Sequence, residues 1–96
     1  MELRHLTYVQ AVGEELSFTK ASRRLHIAQP ALSRAVQELE RFTGVRLIDR
    51  NRTKLRLTAA GSILLRDAAI LFERIEETLR RVRRNAAGAD GELRLG

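Results

Sequence analysis

The chain contains no cysteine, no tryptophan and only two histidines among its 96 residues. The absence of cysteine excludes disulfides and thiolate metal sites. His5 and His26 lie too far apart to pair on one helix, so we predict no metal site. No apolar run approaches the roughly 20 residues of a membrane span. The N-terminus also lacks the apolar core of a signal peptide, which predicts a cytoplasmic protein without membrane contact.

Aromatic residues make up only 4% of the chain, although hydrophobic residues as a whole reach 44%. A core must therefore be built almost entirely from Leu, Ile, Val and Ala. A length of 96 residues is enough for one small domain and not for two.

The net charge of +6 is unevenly distributed along the chain. Residues 17–56 carry ten basic and three acidic side chains, for a net charge of +7, and the remainder sums to −1. Localised positive charge attracts a polyanion and releases its counterions. A solubilising surface is the alternative explanation when the charge is considered alone.

Residues 18–37 predict two short helices joined by a tight turn. Ser17 is a suitable N-cap for the first helix. The second opens at Gln29 and Pro30, because proline suits a first helical turn, and Gly44 ends it. Apolar positions recur at helical spacing in both helices: Phe18, Ala21 and Leu25 in the first, and Leu32, Val36 and Leu39 in the second.

The second helix keeps a polar stripe between its apolar positions. A hydrogen-bonding helix braced by another helix is what a protein needs to read base edges in the DNA major groove. Pro30 and Ala31 offer apolar surface to a thymine methyl group. The predicted base-reading residues are Gln29, Pro30, Ala31, Ser33, Arg34 and Gln37.

Residues 45–58 predict a small β-hairpin with a basic tip, which beside a helix-turn-helix pair is called a wing. Leu55 and Leu57 alternate with Arg56, and the four residues before them are polar and turn-prone. An ordinary solvated loop is the alternative. Clustered basic residues favour contact with phosphates or the minor groove. Two residues of the first helix are added, because that helix crosses the DNA backbone in this motif. The residues predicted to contact the DNA backbone or the minor groove are Thr19, Lys20, Arg50, Asn51, Arg52, Thr53 and Lys54.

A long helix is predicted over 58–87, where there is no proline and Gly61 is the only glycine. At about 1.5 Å per residue it is roughly 45 Å long, which one small domain cannot cover. Its exposed part needs another chain, so we predict a dimerisation helix. The predicted contact residues are Leu64, Ala68, Leu71, Ile75, Leu79 and Val82.

Taken together, these motifs resemble the DNA-binding domain of LysR-type transcriptional regulators over nearly the whole chain. Its most specific part is Gln29-Pro30-Ala31-Leu32-Ser33-Arg34, followed by Leu39-Glu40. The other matching segments are 2–6 with Ala11 and Val12, 17–22 with Leu25, Gly44 and Val45 with Leu47 and Arg50, 57–61, and 91–96. Ala28 departs from the Ser or Thr of many members, and Ile48 replaces a frequent aromatic residue.

The resemblance implies a homodimer that binds double-stranded DNA at an interrupted inverted repeat in a promoter. It also implies a higher homo-oligomer at full length and a small-molecule effector bound by a domain that this fragment lacks. No cofactor is expected in the fragment itself.

We therefore predict a mainly α fold: a winged helix-turn-helix over 1–58, a linker and dimerisation helix over 58–87, and a hinge with the start of an effector-binding domain over 88–96. The winged unit comprises a three-helix core and a hairpin wing. Sequence-specific DNA binding is the leading hypothesis. A non-specific architectural DNA-binding protein and a helix-mediated interaction module are the alternatives. An enzyme is least supported, because no nucleophile–histidine pair, metal cluster or phosphate loop is visible.

Overall fold

The computed structural model describes residues 1–50 and 54–88, with side chains up to residue 86. Four helices and two short strands follow one another: α1 (Leu3–Glu15), α2 (Phe18–Leu25), α3 (Gln29–Thr43), β1 (Ile48–Asp49), β2 (Arg56–Leu57) and α4 (Ala59–Gly88). The mainly α fold with a small hairpin and a long last helix is confirmed. Apart from Gly88, the last residue of α4, the predicted hinge and second-domain start lie outside the described residues.

The helix ends lie where the local sequence signals predict them. The Ser17 side chain accepts a hydrogen bond from the backbone N–H of Lys20 (3.1 Å), which caps α2. Helix α3 begins at Gln29 without a side-chain cap, because Ala28 at the N-cap position has no acceptor. It ends at Thr43, and the C-cap residue Gly44 has a φ of +79°, the left-handed conformation that favours glycine.

The hydrophobic core lies where α1 packs against α2, α3 and α4. All of its largest fully buried side chains are aliphatic, as the low aromatic content predicts. In α2, Ala21 is fully buried, whereas Phe18 and Leu25 are only partly buried at the edge of the core. The buried cluster comprises Leu6, Val9, Ala11, Val12, Ala21, Leu32, Val36, Leu39, Leu47 and Ile48.

The hairpin is short, and its base is tied to the start of α4. Strands β1 and β2 are antiparallel, with Ile48 opposite Leu57. The Thr58 hydroxyl donates to the Arg46 carbonyl oxygen (2.6 Å) and accepts from the backbone N–H of Gly61 (3.0 Å). Thr58 therefore caps α4 and holds this helix against the chain that enters the hairpin.

Only the first half of α4 packs on the domain. Leu64, Leu65 and Phe72 contact the core, and Ala68 is 2% exposed. Beyond Phe72 the helix continues for four more turns, with its side chains largely exposed. Within 1–50 and 54–88, no helix combines the length and the apolarity that crossing a membrane requires.

Candidate nucleic-acid interface

Helix α3 turns one face into the core and the opposite face outward. Leu32, Ala35, Val36 and Leu39 are buried on the inner face. The helical period places Pro30, Arg34 and Gln37 on the outer face, and all three are exposed. Of the predicted base-reading residues, Gln29, Pro30, Ala31, Arg34 and Gln37 are exposed, and Ser33 is half-buried.

Arg41 extends this outer face and is absent from the predicted set. It is exposed and lies one helical turn beyond Gln37. The spacing of Pro30, Arg34, Gln37 and Arg41, alternately four and three residues, is the signal that identifies it. The outer face of α3 therefore carries two guanidinium groups.

Thr19 contacts Gln29 across the helix-turn-helix pair. The Thr19 hydroxyl donates a hydrogen bond to the side-chain carbonyl oxygen of Gln29, at 3.3 Å. The predicted role of Thr19 was contact with phosphate, and the structure adds this second role. The bond orients the Gln29 amide and leaves its two N–H donors available.

The basic residues of α2 differ in their electrostatic environment. Arg24 donates to Glu14 (2.7 Å) and to Glu15 (3.1 Å), and these hydrogen bonds raise the pKa of its guanidinium. The two carboxylates offset the positive charge of Arg24 locally. Lys20 and Arg23 are exposed and have no acidic partner among the described residues, so they supply the net positive charge of this helix.

Lys54, in the hairpin, is exposed to solvent. Arg46, before β1, and Arg56, in β2, are also exposed. The predicted contacts at Asn51, Arg52 and Thr53 lie outside the described residues. Three exposed basic side chains therefore lie in or next to the part of the hairpin that the structure describes.

Arg50, predicted to contact phosphate, also has partners within the protein. Its Nη1 lies 3.6 Å from Glu40 Oε1, and its guanidinium carbon lies 5.3 Å from the centre of the Phe18 ring. Nη2 is fully buried and has no hydrogen-bond partner among the described residues. The carboxylate and the aromatic face attract the cation and hold part of this side chain against the protein, while 29% of it remains exposed.

The predicted dimerisation residues divide into two groups. Leu71, Ile75, Leu79 and Val82 are 53%, 38%, 43% and 59% exposed. Ala68 must be removed from the predicted dimer surface, because the protein's own core covers it, and Leu64 is partly buried in the same way. Ile63 and Ile70, at 59% and 58% exposed, add apolar surface outside the predicted set.

The three-helix core, the hairpin and the outward polar face of α3 define a winged helix-turn-helix protein. Residues 3–62 match the model of a family described as "Bacterial regulatory helix-turn-helix protein, lysR family". The chain belongs to the LysR family.

Curated relatives align with the whole chain. The uncharacterised HTH-type transcriptional regulator YnfL of Escherichia coli (strain K12) is 44% identical over 96 residues. The Hca operon transcriptional activator HcaR of the same organism is 43% identical over 96 residues. Each alignment covers 100% of this chain and 32% of the relative. The chain thus spans about a third of the length of these relatives.

Solved structures of similar domains contain DNA. The complex of the BenM DNA-binding domain with benA site 1 DNA has a TM-score of 0.88 and 42% identity, covering 92% of this chain and 99% of that chain. BenM is a transcriptional regulator of Acinetobacter baylyi. The complex of the CbnR DNA-binding domain with DNA has a TM-score of 0.84 and 40% identity, covering 90% of this chain and 99% of that chain.

Proposed function

We propose that this chain is the sequence-specific DNA-binding domain of a LysR-type transcriptional regulator. The outward polar face of α3 is the observation that carries the proposal, since base edges are read by hydrogen-bonding side chains on such a helix. The similarity to the DNA-bound BenM and CbnR domains supports it. Such a domain acts on the bacterial chromosome, in the cytoplasm.

Base recognition is assigned to the first three turns of α3. A glutamine pairs bidentately with adenine and an arginine with guanine, each contributing about 1–3 kcal/mol of discrimination. Gln29 and Arg34 take these roles, with Ser33 and Gln37 as further polar contacts. Pro30 and Ala31 contact thymine methyl groups.

Phosphate contacts are assigned to the exposed basic residues on both sides of α3. Lys20 lies in α2, the bracing helix that crosses the DNA backbone in this motif. Lys54 and the tip residues Asn51, Arg52 and Thr53 reach the backbone or the minor groove on the side of the wing. Each phosphate contact adds about one unit to the slope of log affinity against log salt.

Two copies of the chain associate through the exposed half of α4. Recognition helices that enter successive major grooves on one face of DNA lie roughly 34 Å apart. A symmetric dimer of this kind reads an interrupted inverted repeat in a promoter and selects half-site spacing as well as sequence. In the full-length protein, a domain beyond this chain binds the small-molecule effector and supports a higher oligomer.

The test is selection of bound sequences from a random DNA pool, followed by affinity measurement at one salt concentration. We expect a two-fold symmetric motif that binds at least about 1,000-fold more tightly than scrambled DNA. Gln29→Ala should relax specificity at one position of each half-site and leave affinity for scrambled DNA nearly unchanged. Equal affinity for selected and scrambled DNA would favour an architectural protein, and self-association without DNA binding would favour an interaction module.

A further inference from the structure

A largely buried carboxylate of α3 binds the start of the wing. The side chain of Glu40 is only 10% exposed. Its Oε2 accepts hydrogen bonds from the backbone N–H groups of Leu47 (2.8 Å) and Ile48 (3.1 Å). Hydrogen bonds to an ionised acceptor in a partly buried site are among the stronger ones in proteins. The chain that enters β1 is therefore attached directly to α3.

The other oxygen of the same carboxylate faces the far end of the strand. Glu40 Oε1 lies 3.6 Å from Arg50 Nη1. The Arg50 guanidinium also lies over the ring of Phe18, the first residue of α2, at 5.3 Å from its centre. We name this group the wing anchor: the side chains of Glu40, Arg50 and Phe18 with the backbone N–H groups of Leu47 and Ile48.

The hairpin is too short to fix its own orientation relative to the helices. Only two residue pairs, Ile48 with Leu57 and Asp49 with Arg56, form its ladder. A two-stranded hairpin is marginally stable on its own and needs packing against another element. The wing anchor joins both ends of β1 to the two helices of the helix-turn-helix pair, so it ties the orientation of the wing to α3 in addition to the contacts with α4.

We propose that Glu40 and Arg50 are positioning residues for DNA recognition. They contact no DNA, and they hold the wing where it reaches the duplex while α3 occupies the major groove. The inference rests on the proposed function, because it requires that the wing contacts DNA. It assigns Arg50 an intramolecular role in place of a phosphate contact.

Because Glu40 carries a negative charge, electrostatics and positioning predict opposite changes in DNA affinity when it is replaced by glutamine. Removal of a carboxylate near DNA reduces repulsion from the phosphates, so electrostatics alone predicts tighter binding for Glu40→Gln. Loss of positioning predicts weaker binding. Glu38→Gln is the matched control, because Glu38 loses the same charge on the same helix but contacts His5 (3.4 Å) and not the wing.

The experiment measures affinity for the selected DNA by fluorescence anisotropy, with a double-mutant cycle between Glu40→Gln and Lys54→Ala. We expect Glu40→Gln to weaken specific binding about tenfold, whereas Glu38→Gln leaves it unchanged or slightly tighter. Lys54→Ala should weaken the wild type and have little further effect beside Glu40→Gln, since coupled residues are non-additive. Affinity of Glu40→Gln at or above the wild-type value, or additive effects, would overturn the inference.

A second variant keeps the test valid if thermal unfolding shows that Glu40→Gln is poorly folded. Arg50→Lys keeps the positive charge and a group that binds phosphate, but it loses the planar guanidinium over Phe18. We expect a severalfold loss of specific affinity, and unchanged affinity would refute the positioning role.

If Lys54→Ala has no effect in the wild type, the wing contact of the proposed function fails and the inference fails with it. Absence of any DNA binding would instead overturn the proposed function as a whole.

Discussion

The hydrogen bond between Thr19 of α2 and Gln29 of α3 restrains a side chain that we propose to read a base. Its length is 3.3 Å, and both residues are exposed on the outer side of the domain. A long polar side chain loses rotamer freedom when it binds, which costs about 0.5–1.5 kcal/mol. A partner that already restrains Gln29 reduces this cost.

Thr19→Val removes the hydroxyl and keeps the shape of the side chain. We expect it to reduce discrimination at the base that Gln29 reads by about fivefold, since one neutral hydrogen bond contributes about 0.5–1.5 kcal/mol. Competition between the selected DNA and the same DNA changed at that base measures the effect.

Thr19→Ser is the control, because it keeps the hydroxyl and should retain discrimination. If Thr19→Val instead weakened binding to all sequences alike, Thr19 would act only as a contact to the DNA backbone.

Among the elements, the start of α4 and the chain entering β1 approach so closely that only glycine fits between them. A Cβ atom on Gly61 would collide with the Leu47 carbonyl oxygen. The Thr58 backbone N–H donates to the same oxygen at 3.0 Å. Helix α4 and the hairpin therefore share one close junction, which together with packing on α1 sets the direction of α4.

Gly61→Ala should destabilise the domain, although alanine is favoured over glycine inside helices by about 1 kcal/mol. The new methyl group meets backbone, which moves only if α4 and the hairpin separate. We expect a loss of about 1–3 kcal/mol in the free energy of unfolding, measured by urea or thermal denaturation.

Gly13→Ala provides the comparison. A Cβ atom there meets the end of the Leu65 side chain, which can rotate away, so a smaller loss is expected. A Gly61→Ala variant as stable as the wild type would show that the junction adapts.

For the whole molecule, the main feature is a helix that extends beyond the domain. The exposed apolar residues of α4 include Leu71, Ile75, Leu79 and Val82. A surface of this kind is typical of protein interaction sites. Because α4 is fixed to the hairpin at Gly61, association through this surface would also set the distance between two recognition helices.

Leu71→Glu should produce a folded monomer that binds a single half-site weakly. A charge placed within an apolar interface has no partner, so we expect self-association to fall by more than tenfold without loss of helical signal. Analytical ultracentrifugation at micromolar concentration measures this directly.

Ala69→Glu is the matched control, because Ala69 is exposed and lies roughly 200° around the helix from Leu71. This variant should remain dimeric. A Leu71→Glu variant that stays dimeric with full operator affinity would locate the interface elsewhere.

Local signals in the sequence predict the helix ends and the outward face of α3. Ser17, Pro30 and Gly44 act within a few residues of themselves, through capping and backbone preference. The helical period alone separates Leu32 and Val36 from Arg34 and Gln37. The concentration of positive charge in residues 17–56 is likewise a property of the sequence.

The roles of Arg50, Ala68 and Gly61 were decided by tertiary structure. In the sequence, Arg50 is one more cation of a basic hairpin. In the structure, it contacts Glu40 of α3 and Phe18 of α2. Ala68 continues an apolar stripe whose inner half the protein's own core covers. Gly61 is required only because the Leu47 carbonyl lies against α4. Local preference acts over one or two turns of chain, whereas burial depends on which distant residues pack together.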